Sequence, residues 1–395
     1  MQAGHGRLQV PTRDRDPVRV AQDPDRQTSA TRTSRARGAA GKRAKARRVT
    51  RPNYHPRGTC VPIIDVHAHV TPERFKEAIR KEGSWYGLGP AVGEIQHGGF
   101  AKGLEERFAE MDRDGIQMQL LSPTIGFYQY GNELDVTKTV ARECNDEVAE
   151  MVAAHPDRFA GVGTLPMQDV DAAVIELQRV MGDKGLKGAI LDDHVLGRTY
   201  DEPEFRPFFA AADELSAVLF FHQGGDTCVV HRISRYKLGN AIGNLADRTI
   251  TFASLVMGGV MDQYTNFKPL LAHAGGYTAF GVARMDKTAG ALKPDRAENG
   301  EMRPPFGRAE GEYDLPRPPS EYLDRFYYDC CTYDEEALRF LIDKVGIERV
   351  MLGTDYPAPM FLEDPVNWIN GLDSLTGAEK QQILSGNASA LLGLS

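Results

Sequence analysis

Eight short apolar runs, each separated from the next by a longer stretch, constrain the fold more than any other feature of this chain. The runs are VPIIDVH (61–67), IQMQLLS (116–122), FAGVGTL (159–165), KGAILD (187–192), AVLFFH (217–222), KPLLAH (268–273), FYYDCC (326–331) and RVMLGTD (349–355). Their length is that of strands, and helical spacing fills much of the chain between them. LEERFAEMDRDG (104–115) ends on Gly115, a natural C-cap, and the stretch 135–156 opens on Asp135 and stops at Pro156. Residues 169–185, 202–216 and 334–346 repeat the pattern, and a last helix is expected over 377–392 with Asn387 inside it. Strand–helix alternation means parallel strands joined by crossover helices. Eight such units predict an α/β fold, a (β/α)8 TIM barrel with loop insertions, rather than an open sheet. Residues 71–100, Gly-rich and carrying Trp85 and Tyr86, form one insertion. Residues 290–321, rich in Pro, Gly and charge, read as a long loop between units six and seven.

The histidines fall on this pattern unevenly. His67 ends the first run with His69 two residues beyond it, His222 ends the fifth and His273 the sixth, and Asp355 ends the eighth. In a barrel these strand ends converge on one mouth. Positions i and i+2 of a strand project on one side, so His67 and His69 can reach a single ion. His222 can add a third nitrogen and Asp355 an oxygen. Three imidazoles and a carboxylate suit Zn2+, with Mn2+ or Fe2+ as alternatives. An open position would hold water, whose pKa the ion lowers to about 7. His273 is then left as an acid or base beside it. Taken singly, each residue has a structural explanation: an H-x-H pair bonding backbone, a turn aspartate, a packed histidine. The coincidence of five at four strand ends favours the metal. His155 suits a helix-ending turn, and His194 and His231 lie in loops near the mouth, where they could touch substrate.

Residues 1–60 differ from the rest. They hold 15 Lys and Arg against 4 Asp, whereas the whole chain carries a net charge of −8. The acidity therefore lies in the remainder, which makes the barrel a poor nucleic-acid binder. The stretch RQTSATRTSRARGAAGKRAKARR has no aromatic residue and no apolar periodicity, so 1–60 is expected to be a disordered basic extension ahead of a barrel domain over 61–395. Such a tail suits a polyanion, or it is a dispensable extension or a misplaced start. No secretory h-region follows its arginines, and no run reaches the ~20 apolar residues of a membrane helix. Five scattered cysteines without a C-x-x-C pair point to a reducing, cytoplasmic compartment.

IDVHAHVTPERF, GVGTLPMQD, ITFASLVMGGVMDQYTNFKPLLAHAGG, FYYDCCTYDEEALRFLIDKVGIERV and VMLGTDYPAP together resemble the amidohydrolase superfamily. The nearer likeness is to its branch of aminocarboxymuconate-semialdehyde decarboxylase and related aromatic-acid decarboxylases. It spans roughly 61–394. The resemblance implies a mononuclear site with His67, His69, His222 and Asp355 as Zn2+ ligands and His273 as the residue that activates water. Arg284, eleven residues after His273, matches an arginine that binds a substrate carboxylate in the neighbouring subunit, which implies a homodimer or higher homo-oligomer. Two features depart from the muconate enzyme. An arginine of its first insertion has no clear counterpart in GEIQHGGFAKGLEERF, where Lys102 and Arg107 are the candidate substitutes, and Pro-Trp after the strand-five histidine is replaced by HQGGDTCVVHRISRYKLGN. Both lie where substrate should sit.

The expectation is a metal-dependent, non-oxidative decarboxylase of a small aromatic or muconate-type carboxylic acid. The alternative is a hydrolase of an amide or lactone, or a hydratase, on the same barrel and ligand set. A degenerate, non-enzymatic barrel would require a damaged metal site, and every position here is intact.

Overall fold

The computed structural model describes residues 61–291, 295–296, 302–303 and 313–394. The basic segment 1–60 lies outside the described residues. Strand β1 (Ile64–Val70) pairs in parallel with β2 (Met118–Pro123), and β2 with β3 (Phe159–Gly161). After Val162 the same strand continues as β4 (Gly163–Thr164), which starts a six-stranded sheet. That sheet runs through β5 (Gly188–Leu191), β6 (Val218–Phe221), β7 (Lys268–Leu271), β10 (Tyr327–Asp329) and β11 (Val350–Met351), every pair parallel. Beyond β11 the chain returns to β1. Val66 N–H donates to Leu352 O and Asp355 N–H to His67 O, each at 2.9 Å, and Ala68 forms a parallel bridge with Tyr356. Eight strand positions thus close into a barrel, at the eight runs expected.

The helices between them are α1 (Glu73–Glu82), α2 (Leu104–Asp114), α3 (Leu134–Ala154), α4 (Val170–Gly182) and α5 (Arg206–Glu214). Then come α6 (Leu245–Met257), α7 (Val260–Gln263), α8 (Thr278–Ala291), α9 (Glu335–Val345), α10 (Pro365–Gly371), α11 (Gly377–Gln381) and α12 (Asn387–Leu392). The expected caps operate. Gly115 ends α2 at φ 76°, and the side chains of Asp169 and Asp334 accept the N–H of Ala172 and Ala337 at the starts of α4 and α9. The helix expected over 377–392 is instead two short helices joined by a π-turn, Gln382–Gly386. There Asn387 turns inward to bond Ile347 O and Val350 O, both at 2.7 Å, fastening the end of the chain beneath β11.

Strand side chains such as Val66, Leu120, Ile190, Phe220, Leu271, Tyr328 and Met351 are fully buried in one core. Each such side chain contributes about 1.5–3 kcal/mol on leaving water. The insertion after β1 is structured, carrying α1 and a small core of its own. Phe75 meets Trp85 and Phe127 edge-on at 5.6 and 5.2 Å, so Trp85 packs rather than lines a pocket. Within the segment expected as a long loop, β8 (Asp295–Arg296) pairs antiparallel with β9 (Met302–Arg303). Among the described residues no helix is long and apolar enough to cross a membrane.

Candidate metal centre

The β1 backbone sends His67 and His69 to the same side, with their Nε2 atoms 3.1 Å apart. His222 is the first residue past β6, and its N–H is held by Leu191 O at 2.8 Å. Asp355 Oδ1 lies 3.2 Å from Nε2 of both His67 and His69, and 3.9 Å from that of His222. One donor atom from each of the four lies within 4.8 Å of the others, and all four residues are buried. His273 stands at the edge of the cluster, its Nε2 3.5 Å from Asp355 Oδ2. The structure therefore brings together five of the six residues singled out in the sequence.

The chemistry of the cluster fits a divalent cation. His222 Nε2 is buried without a hydrogen-bond partner among the described residues, and its Nδ1 faces Gln223 O at 3.2 Å. Nδ1–H donating outward leaves the Nε2 lone pair pointing into the cluster. Burial holds the pKa of His222 well below its ordinary value and also lowers that of His69, so both rings favour the neutral form a ligand needs. Burial alone would raise Asp355 and lower His67, but each is reversed by its neighbours. The positive charge favoured on His67 beside it holds the Asp355 carboxyl well below the usual range. Asp355 and Asp329 push His67 up to about 10. The centre thus attracts positive charge.

Two carboxylates that the sequence reading did not single out hold the centre in place. Asp329, at the end of β10, meets His67 Nδ1 at 2.7 Å with the same oxygen that accepts His273 N–H at 2.8 Å. Its other oxygen accepts the N–H of Ala274 (2.8 Å) and Cys331 (3.0 Å). Asp65 accepts His67 N–H and Thr354 N–H, both at 3.0 Å, and the Thr354 hydroxyl at 2.7 Å. Burial raises Asp65 to about 6 despite these bonds. The signal was available: an aspartate inside a strand buried on both faces must have partners. His273 and Asp355 themselves sit at φ 53° and 64°, a left-handed conformation that non-glycine residues adopt at a cost and that recurs at functional sites.

A cavity of about 350 Å3 opens onto His273 and Asp355, bounded also by Asn240, Leu245, Gly276 and Tyr333. That is within the range of small-molecule sites. Asn240 belongs to a π-turn, Gly239–Asn244, that leads into α6 and puts an irregular backbone at the cavity wall. Among the described residues, no Lys or Arg lines this cavity. Arg284 is exposed on α8 and does not reach it within its own chain. Arg107, weighed as a carboxylate binder, is buried and committed elsewhere. It donates to His69 O (2.5 Å) and Gln119 Oε1 (2.8 Å) and lies over the Tyr356 ring. Lys102 pairs with Glu110 at 2.7 Å. His194 spends both ring nitrogens on backbone, at Gly197 N and Asp226 O.

The chain belongs to the amidohydrolase family, whose family model, described as Amidohydrolase, matches residues 64–394. Its sequence is 30% identical over 348 residues to 2-amino-3-carboxymuconate-6-semialdehyde decarboxylase of Dictyostelium discoideum, covering 84% of this chain and 91% of that one. Its structure is similar to that of 5-carboxyvanillate decarboxylase from Sphingomonas paucimobilis, with TM-score 0.72, 27% identity, and coverage of 85% of this chain and 100% of that one. The corresponding enzyme of Novosphingobium aromaticivorans, whose structure holds manganese, shares the fold at TM-score 0.71 and 24% identity over 85% of this chain and 96% of that one.

Proposed function

We propose that this chain is a metal-dependent, non-oxidative decarboxylase of a small aromatic or muconate-type carboxylic acid, with a catalytic domain over 61–395. The observation that carries the reading is the four-donor cluster beside His273 at the floor of a small cavity, in a chain similar to decarboxylases along most of its length. His67, His69, His222 and Asp355 hold the ion. Zn2+ suits three imidazoles and a carboxylate, and the manganese of a structural neighbour supports Mn2+ as the alternative. When bound, the ion supplies Lewis-acid polarisation of an oxygen.

His273 gives the proton. As the C–C bond to the carboxylate breaks, the electron pair stays on the ring or diene carbon, which takes a proton from His273, and CO2 leaves. The Asp329 bonds to the backbone of His273 and Ala274 fix where that proton is presented. A spectator carboxylate on the substrate needs a cation, and among the described residues the cavity wall of one chain offers none. Arg284 of a second subunit supplies it, as a planar fork that matches a carboxylate. This makes the working form a homodimer or a higher homo-oligomer. The described cysteines, Cys144, Cys228, Cys330 and Cys331, are free thiols, which supports a cytoplasmic location.

The test is CO2 release from metal-reconstituted protein offered hydroxybenzoates, carboxyvanillate-type acids and amino-carboxymuconate semialdehydes, with His273→Ala alongside. Release by the wild type and its loss in the variant is expected. Consumption of a panel member without CO2 would replace the decarboxylase reading by a hydratase or hydrolase.

A further inference from the structure

Arg248, on α6, is fully buried and contacts no group of the proposed reaction. A buried guanidinium is costly unless each face of it is paired, and here the partners come from three strand ends. One terminal nitrogen donates to Asp193 Oδ1 at 2.5 Å, just past β5. The other donates to Gln223 Oε1 at 2.6 Å, and Nε donates to Ala272 O at 3.3 Å. Gln223 directly follows His222, and Ala272 directly precedes His273. Thr251, one turn further along α6, donates its hydroxyl to the same Asp193 oxygen at 2.6 Å and so steadies the anchor.

We infer that Arg248 is a positioning residue, which fixes the metal ligand His222 and the proton donor His273 relative to each other by tying the residue after one and the residue before the other to a single rigid fork. The inference rests on the roles proposed above for those two histidines. Its geometry is specific. Gln223 O is the acceptor facing His222 Nδ1, so the bond from Arg248 to the Gln223 side chain holds the residue that sets the His222 ring. On the other side, Ala272 is the hinge from which the left-handed turn at His273 and Ala274 begins. A lysine in place of Arg248 keeps the charge but cannot hold three acceptors in one plane. A cation needed only to neutralise Asp193 would be replaceable by lysine.

The experiment measures metal affinity, by competition with a chromophoric chelator using Zn2+ and Mn2+, for the wild type, Arg248→Lys, Gln223→Ala and Gln223→Glu, well below their unfolding temperatures. Arg248→Lys and Gln223→Ala are expected to bind about 10–100-fold more weakly than the wild type, the range seen when a ligand loses its outer support. Gln223→Glu, which keeps the acceptor for Arg248, is expected to stay within about threefold of wild type. Wild-type affinity in folded Arg248→Lys and Gln223→Ala overturns the inference. If Arg248→Lys does not fold, the Gln223 pair decides alone. Equal weakening in both Gln223 variants would mean that the link to Arg248 is not what matters, and overturns it too. A wild type that binds neither ion would remove the metal reading itself and this inference with it, a result separable because it appears before any variant is made.

Discussion

The oxygen of Asp329 that meets His67 Nδ1 at 2.7 Å also accepts the backbone N–H of His273, so one buried carboxylate sets the tautomer of a strand-one histidine and the position of a strand-six histidine. Nδ1–H turned toward Asp329 leaves His67 Nε2 free to face the other donors. Asp329→Asn presents an amide where a carboxylate accepted four N–H groups, so one oxygen keeps its bonds and the other is replaced by a donor. Metal affinity is expected to fall by about 10–100-fold, with a parallel fall in kcat/KM. Chelator competition on the purified variant measures the first directly, and unchanged affinity would mean that Asp329 serves only the fold.

Removal of the ion should cost stability as well as activity. Four buried donors converge on one point, and a ligand that binds only the folded state stabilises it by about 2.7 kcal/mol at one hundred times Kd. Dialysis against a chelator is therefore expected to lower Tm by several degrees and abolish turnover, both restored by one equivalent of Zn2+ or Mn2+ per chain. A Tm indifferent to chelation would argue against occupancy of the site.

Gly276 closes the HAGG turn after β7 at φ 63°, and a Cβ there would stand 2.1 Å from Leu245 O at the start of α6. Both the backbone conformation and the space exclude a side chain. Gly276→Ala must push the His273 turn away from α6. The expected cost is about 2–4 kcal/mol, read as a drop in denaturant midpoint, and a neutral result would show that the turn has other conformations open to it.

Asp192, at the end of β5, supplies a pH dependence independent of the metal. Burial pushes its carboxyl up to about 7, although Gly224 N–H and its neighbour's N–H bond it at 2.6 and 2.7 Å. A folded-state pKa above the unfolded one gives stability that is complete below about pH 4 and is lost as pH rises through 7. Asp192→Asn keeps an oxygen for both N–H donors and carries no charge to bury. The variant should therefore gain on the wild type as pH rises from 5.5 to 8.5, by on the order of 2 kcal/mol, with the gap levelling above pH 7. Urea unfolding at four pH values measures it, and a gap that narrows with rising pH reverses the sign and sinks the assignment.

The barrel was legible because each of its strands is a short apolar run, and the convergence of the cluster followed from where five residues end those runs. What stayed hidden has physical causes. The π-turn before α6 inserts an extra residue that breaks the 3.6 period, and α8, rich in alanine, glycine and threonine, shows little apolar spacing. Asp65, Asp329 and Arg248 act through partners tens to hundreds of residues away, and no local pattern announces a long-range bond. Their one sequence signature is charge inside a buried run, which Asp65 and Asp329 carry and Arg248, on a helix, does not.

Arg284 offers the sharpest test of the proposed assembly. It is exposed on α8, near Phe280 and Tyr277, which are also exposed, and it does not line the cavity of its own chain. A role in catalysis then requires a second chain. Arg284→Ala should leave Tm within a degree or so, since an exposed arginine contributes little to stability. It should raise KM or lower kcat/KM strongly for dicarboxylate substrates. The decisive step is to mix Arg284→Ala with His273→Ala under conditions that exchange subunits. Each homodimer lacks one essential group at every site, while a mixed dimer has one complete site, so random exchange of a dimer should restore about one quarter of wild-type activity. A mixture as inactive as its components would place the arginine's action within its own chain or remove it from the reaction, and the carboxylate would need another cation.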